Sequence, residues 1–182
     1  MNTLSDSALM LKVKSGESHT LGLLYERYKK RLFGFFFQMN KDASLCEDLV
    51  QNVFIRVLKY KHTYTEDSNF LSWIFKIARN VYYDHFKAQD KKRASTLTEV
   101  NHIEATENVE RDIEKSEKIR ILQKAINELP PAKKELIILS KIKELKYKEL
   151  GEIIGCTEGN ARTKVHRALY DLKQIYLTLE KR

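Results

Sequence analysis

Breakers are scarce in this chain. Six Gly and two Pro are spread over 182 residues. Between them, apolar residues recur at three- and four-residue intervals rather than in alternation. A chain with so few places to turn and that period predicts an all-α fold built from long amphipathic helices.

The helical stretches follow one another with identifiable stops. Over residues 21–37, Leu21, Leu24, Tyr25, Tyr28, Leu32, Phe35 and Phe36 share a face, with Arg27, Lys30 and Arg31 opposite. Asn40-Lys41-Asp42 breaks this run. Residues 45–60 then align Cys46, Leu49, Val50, Val53, Phe54, Val57 and Leu58. The segment 61–69, KHTYTEDSN, has no period and reads as a loop. Over 70–88, Phe70, Ile74, Ile77, Ala78, Val81 and His85 form one face. Ser72, Lys76, Arg79, Asn80, Tyr83 and Lys87 form the other. Apolar burial on one side with basic and hydrogen-bonding groups on the other suits a docked helix that faces a ligand.

Charge divides the chain. Residues 20–93 hold 14 Lys+Arg against 8 Asp+Glu, residues 94–116 hold 2 against 6, and residues 117–182 hold 15 against 9. Two basic blocks around an acidic spacer, with a net charge of +8, point to a polyanionic partner gripped twice. The spacer is polar and weakly periodic, so it cannot bury enough apolar surface to offset ordering entropy. The predicted architecture is two small helical domains joined by a flexible linker. An N-terminal helical bundle occupies 1–90, an acidic linker 91–114 and a four-helix domain with a helix-turn-helix 115–182.

Metal and disulfide chemistry find little support. Cys46 and Cys156 lie 110 residues apart with no CxxC and no Cys/His cluster, so both read as reduced thiols near helix packing. No cofactor motif is present. No apolar run reaches membrane-span length. The opening MNTLSDSALMLKVKSGES lacks the apolar core of a signal peptide. A cytoplasmic location, without membrane insertion, is the expectation.

In the C-terminal block, Ile119, Leu122, Ile126 and Leu129 resume helical spacing, and Pro130-Pro131 ends that helix and starts the next. Leu136, Ile137, Leu139 and Ile142 supply the following apolar face. Residues 147–169, YKELGEIIGCTEGNARTKVHRAL, then look like a helix-turn-helix. Leu150 and Ile154 face inward, and Gly151 is small where two helices cross. Gly155 suits the left-handed turn, Cys156 plugs the turn, and Thr157 caps the second helix. Ala161, Val165, Ala168 and Leu172 are that helix's buried stripe. Asn160, Thr163, His166 and Arg167 project away from it, flanked by Arg162 and Lys164. In such a motif the second helix enters the major groove, where Asn suits adenine and Arg guanine, and flanking cations meet phosphate. A helix pair with a merely solvated charged face is the competing reading.

Three stretches carry a family resemblance: LYERYKKRLFGF at 24–35, DLVQNVFIRVL at 48–58 and FLSWIFKIARNVYYD at 70–84. Together they resemble the second conserved region of bacterial RNA polymerase sigma factors. Residues 128–172, from ELPPAKKELI to HRALYDL, resemble the fourth. The lack of a third region resembles the extracytoplasmic-function (ECF) branch. That resemblance implies a transcription initiation factor, not an enzyme, whose partners are core RNA polymerase, promoter DNA and, as a candidate regulator, an anti-sigma factor.

It further implies that Asp48, Gln51, Asn52, Phe54 and Leu58 dock on the polymerase, with Asn52 departing from the acidic residue often found there. Minus-ten DNA falls to Asp67, Ser68, Asn69, Trp73, Lys76, Arg79, Asn80, Tyr83 and Lys87. Asp67, Ser68 and Asn69 would line the loop that receives a flipped base, and Asn80 matches a base-recognition position. Minus-thirty-five DNA falls to Thr157, Asn160, Arg162, Thr163, Lys164, His166 and Arg167. Composition agrees: 9 of 18 aromatics lie between Phe54 and Phe86, as a strand-binding surface of stacking platforms and cations requires. Core filling is the alternative for Trp73, Phe54 and Leu58.

Two other functions compete with this reading. A conventional helix-turn-helix regulator would need a sensor domain or dimer interface, and neither is evident. A nucleic-acid enzyme would need convergent carboxylates or metal ligands, and the side chains of Glu47 and Asp48, adjacent in sequence, diverge on a helix.

Overall fold

The computed structural model describes residues 4–95 and 113–181, with side chains described for 4–90 and 117–181. Among these residues there are eight α-helices and no strand. The chain divides into two compact units, taken here in turn.

The first unit opens with a helix that the sequence reading did not identify, α1 (Asp6–Ser15). The Ser5 side chain accepts from the Ala8 N–H at 3.2 Å, and Gly16, at φ 116°, returns its N–H to the Lys12 and Val13 carbonyls. Leu9, Met10 and Val13 are fully buried. The signals were local: a serine cap, Asp6 in the first turn, and a glycine stop. A short 3-10 turn leads into α2 (Leu21–Asn40), which Lys41 ends in a left-handed conformation. Asp42 caps α3 (Ala43–Tyr60) by accepting from the Leu45 N–H at 3.0 Å.

After α3 the expected loop is partly ordered. It holds a 3-10 turn (Lys61–Thr63), and Tyr64 is fully buried. Helix α4 (Phe70–Ser95) runs past the expected end of the domain. Helix α4 thus extends over 91–95, and α5 starts at 113, two residues before the expected start of the second domain. The rest of the expected acidic linker lies outside the described residues.

Helices α2, α3 and α4 enclose the first core. Tyr28 meets Phe70 edge-on at 5.1 Å, Phe35 meets Phe75 at 5.8 Å, and Phe36 stacks with Tyr82 at 6.5 Å between centroids. Each such ring pair adds about 0.5–1.5 kcal/mol beyond area burial. Cys46 lies in this core, hydrogen-bonded to Asn40 Oδ1, and burial pushes its thiol up to about 11.

The second unit, 103–151 and 156–182, holds α5 (Ile113–Glu128), α6 (Pro131–Ile137), the first turn of α7 (Tyr147–Ile154) and α8 (Glu158–Glu180), while Glu152–Gly155 group with the first. Pro131 occupies the first turn of α6, as the Pro-Pro break predicts. A π-helical turn (Ile138–Ile142) prolongs α6, with Lys143 donating to the Ile138 carbonyl at 2.8 Å.

Packing differs here from the predicted stripes. Helix α5 packs against α8; Ala125, and Leu129 just past the helix end, are buried, whereas Ile119 and Leu122 are exposed. Ile138 is buried and Ile142 exposed. Two apolar faces compete on each of these helices, and the neighbouring helix decides which one is covered. Lys134 and Glu135 are also buried, and Lys134 donates to Asn127 Oδ1 at 2.9 Å.

Candidate nucleic-acid interface

Helix α4 presents one continuous polar face. Lys76, Asn80 and Lys87 are exposed, and Arg79 and Tyr83 are half-buried. Behind them Ile74, Ile77, Ala78 and Val81 are buried, so the helix cannot rotate this face away without exposing its core side. The Arg79 guanidinium lies over the Tyr83 ring at 5.0 Å, and Tyr83 meets Tyr82 edge-on at 5.5 Å. The result is a ring and a cation held together on a basic stripe. Ser72, expected on this face, is buried at 4% exposure. It lies in the first turn of α4, where Asn69 Oδ1 accepts its N–H at 3.2 Å.

The segment before α4 brings Asp67, Ser68 and Asn69 together at the helix start. Asp67 and Asn69 are exposed, and Ser68 is half-buried. The Ser68 N–H donates to the Thr65 carbonyl at 3.0 Å, and their hydroxyls pair at 2.7 Å. Trp73 is half-buried, its ring edge-on to Tyr64 at 5.2 Å. Trp73 is thus partly packed and partly accessible.

On α3, Asp48, Gln51, Asn52 and Leu58 are exposed, but Phe54 is a core residue at 6% exposure, edge-on to Tyr25 at 4.9 Å. Sequence reasoning missed Ile55, which is 61% exposed. Its position, three and four residues after Asn52 and Gln51, places it on the same outer stripe. A large β-branched side chain on an otherwise polar face was the available signal.

Between α7 and α8 the backbone makes the turn the motif needs. Gly155 has φ 74°. Cys156 donates its N–H to the Gly151 carbonyl at 2.9 Å. A Cβ on Gly151 would stand 2.6 Å from the Cys156 carbonyl oxygen. The same Cβ would stand 3.4 Å from the Glu158 N of α8, so Gly151 makes room for the turn and for the start of the second helix. Thr157 caps α8 by accepting from the Asn160 N–H at 3.3 Å. Two details differ from expectation. Ile153, rather than Ile154, is the fully buried isoleucine of α7, and Cys156 is half-buried instead of plugging the turn.

Ala161, Val165, Ala168 and Leu172 are buried as predicted, which leaves Asn160, Arg162, Thr163, Lys164, His166 and Arg167 exposed together. Arg162 is held 3.3 Å from Glu158 on its own helix and 5.4 Å from the Tyr147 ring on α7. Thr163 spends its hydroxyl on the Gly159 carbonyl at 3.0 Å.

Among the described residues no group of three or more His, Cys, Asp or Glu is placed to hold a metal ion, and no helix is long and apolar enough to cross a membrane.

A four-element helical unit with a basic, aromatic outer helix, followed by a helix-turn-helix unit, defines a class of transcription initiation factor. The Sigma-70 region 2 family matches residues 24–92, and Sigma-70, region 4 matches residues 119–172. The ECF RNA polymerase sigma factor SigM of Bacillus subtilis is 30% identical, over 86% of this chain and 95% of that protein. SigX of the same organism is 31% identical, over 85% and 82%. The structure of CnrH in complex with the cytosolic domain of CnrY shares the fold, at TM-score 0.68, 19% identity, and 93% and 96% coverage. So does the sigma factor RpoE, in complex with the anti-sigma factor NepR, from Bartonella quintana, at TM-score 0.66, 22% identity, and 85% and 95% coverage.

The chain belongs to the sigma-70 family. It is an RNA polymerase sigma factor of the ECF group, and it directs promoter-specific transcription initiation.

Proposed function

We propose that this sigma factor grips its promoter at two places while the first unit docks on core RNA polymerase. The observation that carries the reading is the α4 face. Lys76, Arg79, Asn80, Tyr83 and Lys87 share one exposed side of a helix whose other side is locked into the core.

A helix of this kind opens DNA by capture rather than by a motor. Bases leave the stack transiently, and a site that holds them shifts the equilibrium toward the open strand. Lys76 and Lys87 meet phosphates, Asn80 reads a base edge, and the Arg79–Tyr83 pair supplies the stacking surface. Asp67, Ser68 and Asn69 receive the flipped base, and the accessible part of Trp73 bounds that pocket. No side chain needs to make or break a bond, so the protein works without catalytic chemistry of its own.

The exposed residues of α8 read the duplex minus-thirty-five element. Asn160 and Arg167 address base edges, and Lys164, His166 and Arg162 the backbone, with Thr157 and Thr163 positioned at the helix start. On α3, Asp48, Gln51, Asn52, Ile55 and Leu58 form the polymerase-docking stripe. Phe54 supports it from beneath. Region 2 chemistry is assigned to 1–90 and region 4 chemistry to 115–182. Location follows the polymerase, in the cytoplasm. Regulation by an anti-sigma factor is in keeping with the complexes known for its structural relatives.

Run-off transcription with core polymerase tests the reading as a whole. Added protein should stimulate transcription from a small set of promoters, and Asn80→Ala should abolish most of that stimulation while core affinity is kept. A protein that binds promoter DNA but is not retained by core polymerase would instead be a conventional regulator.

A further inference from the structure

Helix α1 lies upstream of the stretch matched by region 2, yet it is bonded to the loop that leads into α4. Lys14 Nζ donates to the Tyr64 carbonyl at 2.6 Å, and Lys61 Nζ donates to the Val13 carbonyl at 3.2 Å. The Tyr64 hydroxyl stands 2.9 Å from Ser7 Oγ and 2.9 Å from the Ser68 carbonyl oxygen. A carbonyl can only accept, so Tyr64 donates to Ser68 and the Ser7 hydroxyl donates to Tyr64. The Tyr64 side chain is fully buried, and its ring meets Phe70 at 5.9 Å and Trp73 at 5.2 Å. A relay therefore runs from Ser7 on α1, through one buried phenol, to the backbone of Ser68 and the ring of Trp73. Helix α1 is itself fixed to α2, where Asp6 accepts from Tyr28 at 2.6 Å and pairs with Arg27 at 2.6 Å.

We infer that α1 is a buttress that sets the conformation of the base-receiving loop, with Ser7, Lys14 and Tyr64 as positioning residues. The inference rests on the proposed role of Asp67, Ser68 and Asn69 in receiving the flipped base. None of the three buttress residues touches DNA in this scheme. They act by holding the Ser68 carbonyl and the Trp73 ring in the geometry the base must find, so the ordering entropy is spent on folding and not on binding. Local propensity does not impose this loop shape, since KHTYTEDSN has no period of its own.

The test uses full-length protein assembled with core polymerase and a single-stranded minus-ten oligonucleotide. The oligonucleotide is taken from a promoter that the wild-type holoenzyme selects from a randomised library. Ser7→Ala and Tyr64→Phe each remove one hydroxyl of the relay and keep the rest. Each should weaken oligonucleotide binding roughly five- to tenfold, the scale of one buried hydrogen bond. The double variant should be no weaker than the worse single one, because both break the same chain. Ser7→Thr should restore binding. Core affinity and binding to the minus-thirty-five duplex should not change.

Wild-type oligonucleotide affinity in Ser7→Ala and Tyr64→Phe, with Asn69→Ala still weakened, would overturn the buttress and leave the loop reading intact. Loss of core affinity in parallel with oligonucleotide affinity would also overturn it, since that is general destabilisation. Unchanged binding in Asp67→Ala and Asn69→Ala would remove the loop reading, and the buttress with it. Lys14→Met provides a second, independent break, which keeps the apolar stem and deletes the donor to Tyr64.

Discussion

Arg79 and Tyr83 stand one helical turn apart on α4 with guanidinium over ring at 5.0 Å. Cation and ring already lie together, so on the proposed reading a captured base would add a layer to an existing platform. Arg79→Lys keeps the charge but loses the flat, delocalised surface. It should weaken minus-ten oligonucleotide binding by about 1 kcal/mol, and Tyr83→Ala by about 1–3 kcal/mol. Fluorescence anisotropy with holoenzyme reads both. Equal affinities for Arg79→Lys and wild type would show that only the charge matters.

Arg167→Ala should weaken recognition of the minus-thirty-five element by about 1–3 kcal/mol and relax preference at one base position. Affinity for core polymerase should stay as it was. Lys164→Ala, at a proposed phosphate contact, should weaken all sequences alike and lower the salt dependence of binding. Duplex titrations at several salt concentrations separate the two, and a uniform loss in Arg167→Ala would reassign that residue to phosphate.

Ile55 is the most informative residue on α3. Its side chain is 61% exposed, so Ile55→Glu should change stability by no more than about 0.5 kcal/mol. A pull-down with core polymerase should nevertheless show roughly a tenfold loss, as expected for an apolar anchor at an interface centre. Retained binding would place the docking surface elsewhere.

Gly151→Ala pushes a Cβ to 2.6 Å from the Cys156 carbonyl oxygen, a backbone atom that cannot step aside. The cost should be about 1–3 kcal/mol of stability in the second unit. Gly155→Ala, at φ 74°, should cost about 1–2 kcal/mol through left-handed strain. Thermal melts and minus-thirty-five binding should fall together for both. A normal melt for Gly151→Ala would mean that the turn has more room than this geometry allows.

Alkali should loosen the first unit. Burial, then the hydrogen bond and charge of Asp6, raise Tyr28 well above its ordinary 10.0. Burial likewise raises Tyr64, and it raises Cys46 from 9.0 to about 11. All three groups are neutral when protonated, and their folded values lie above the unfolded ones. The unfolded chain therefore releases its protons first as pH rises. The stabilisation is complete below about pH 9 and is lost progressively through pH 11 and beyond. Melting temperature followed from pH 8 upward should decline, and more gently in Tyr28→Phe. An equal slope in that variant would exclude Tyr28 as a contributor.

Legibility in the sequence followed the range of the interaction. Thr157, Gly155 and Pro131 announced helix ends because caps and left-handed turns are settled within a few residues. The polar stripe of α4 was readable because helical spacing alone places Lys76, Asn80, Tyr83 and Lys87 together. Ser72 was misplaced because a small hydroxyl side chain suits either face, and its neighbours cover it in the fold. Ile119, Leu122 and Ile142 looked like core and are exposed, and Phe54, which could be contact or core, is buried. In each case the side chain's character was right for either role.

Helix content, helix ends and the order of the two motifs came from the chain's own local chemistry, which acts within a turn or two. The tertiary structure alone decided which apolar face each helix covers. It also decided that Tyr64, in an aperiodic loop, becomes a buried post joining α1 to the start of α4. Burial depends on what arrives from elsewhere in the chain, and 57 residues separate Ser7 from the phenol it meets.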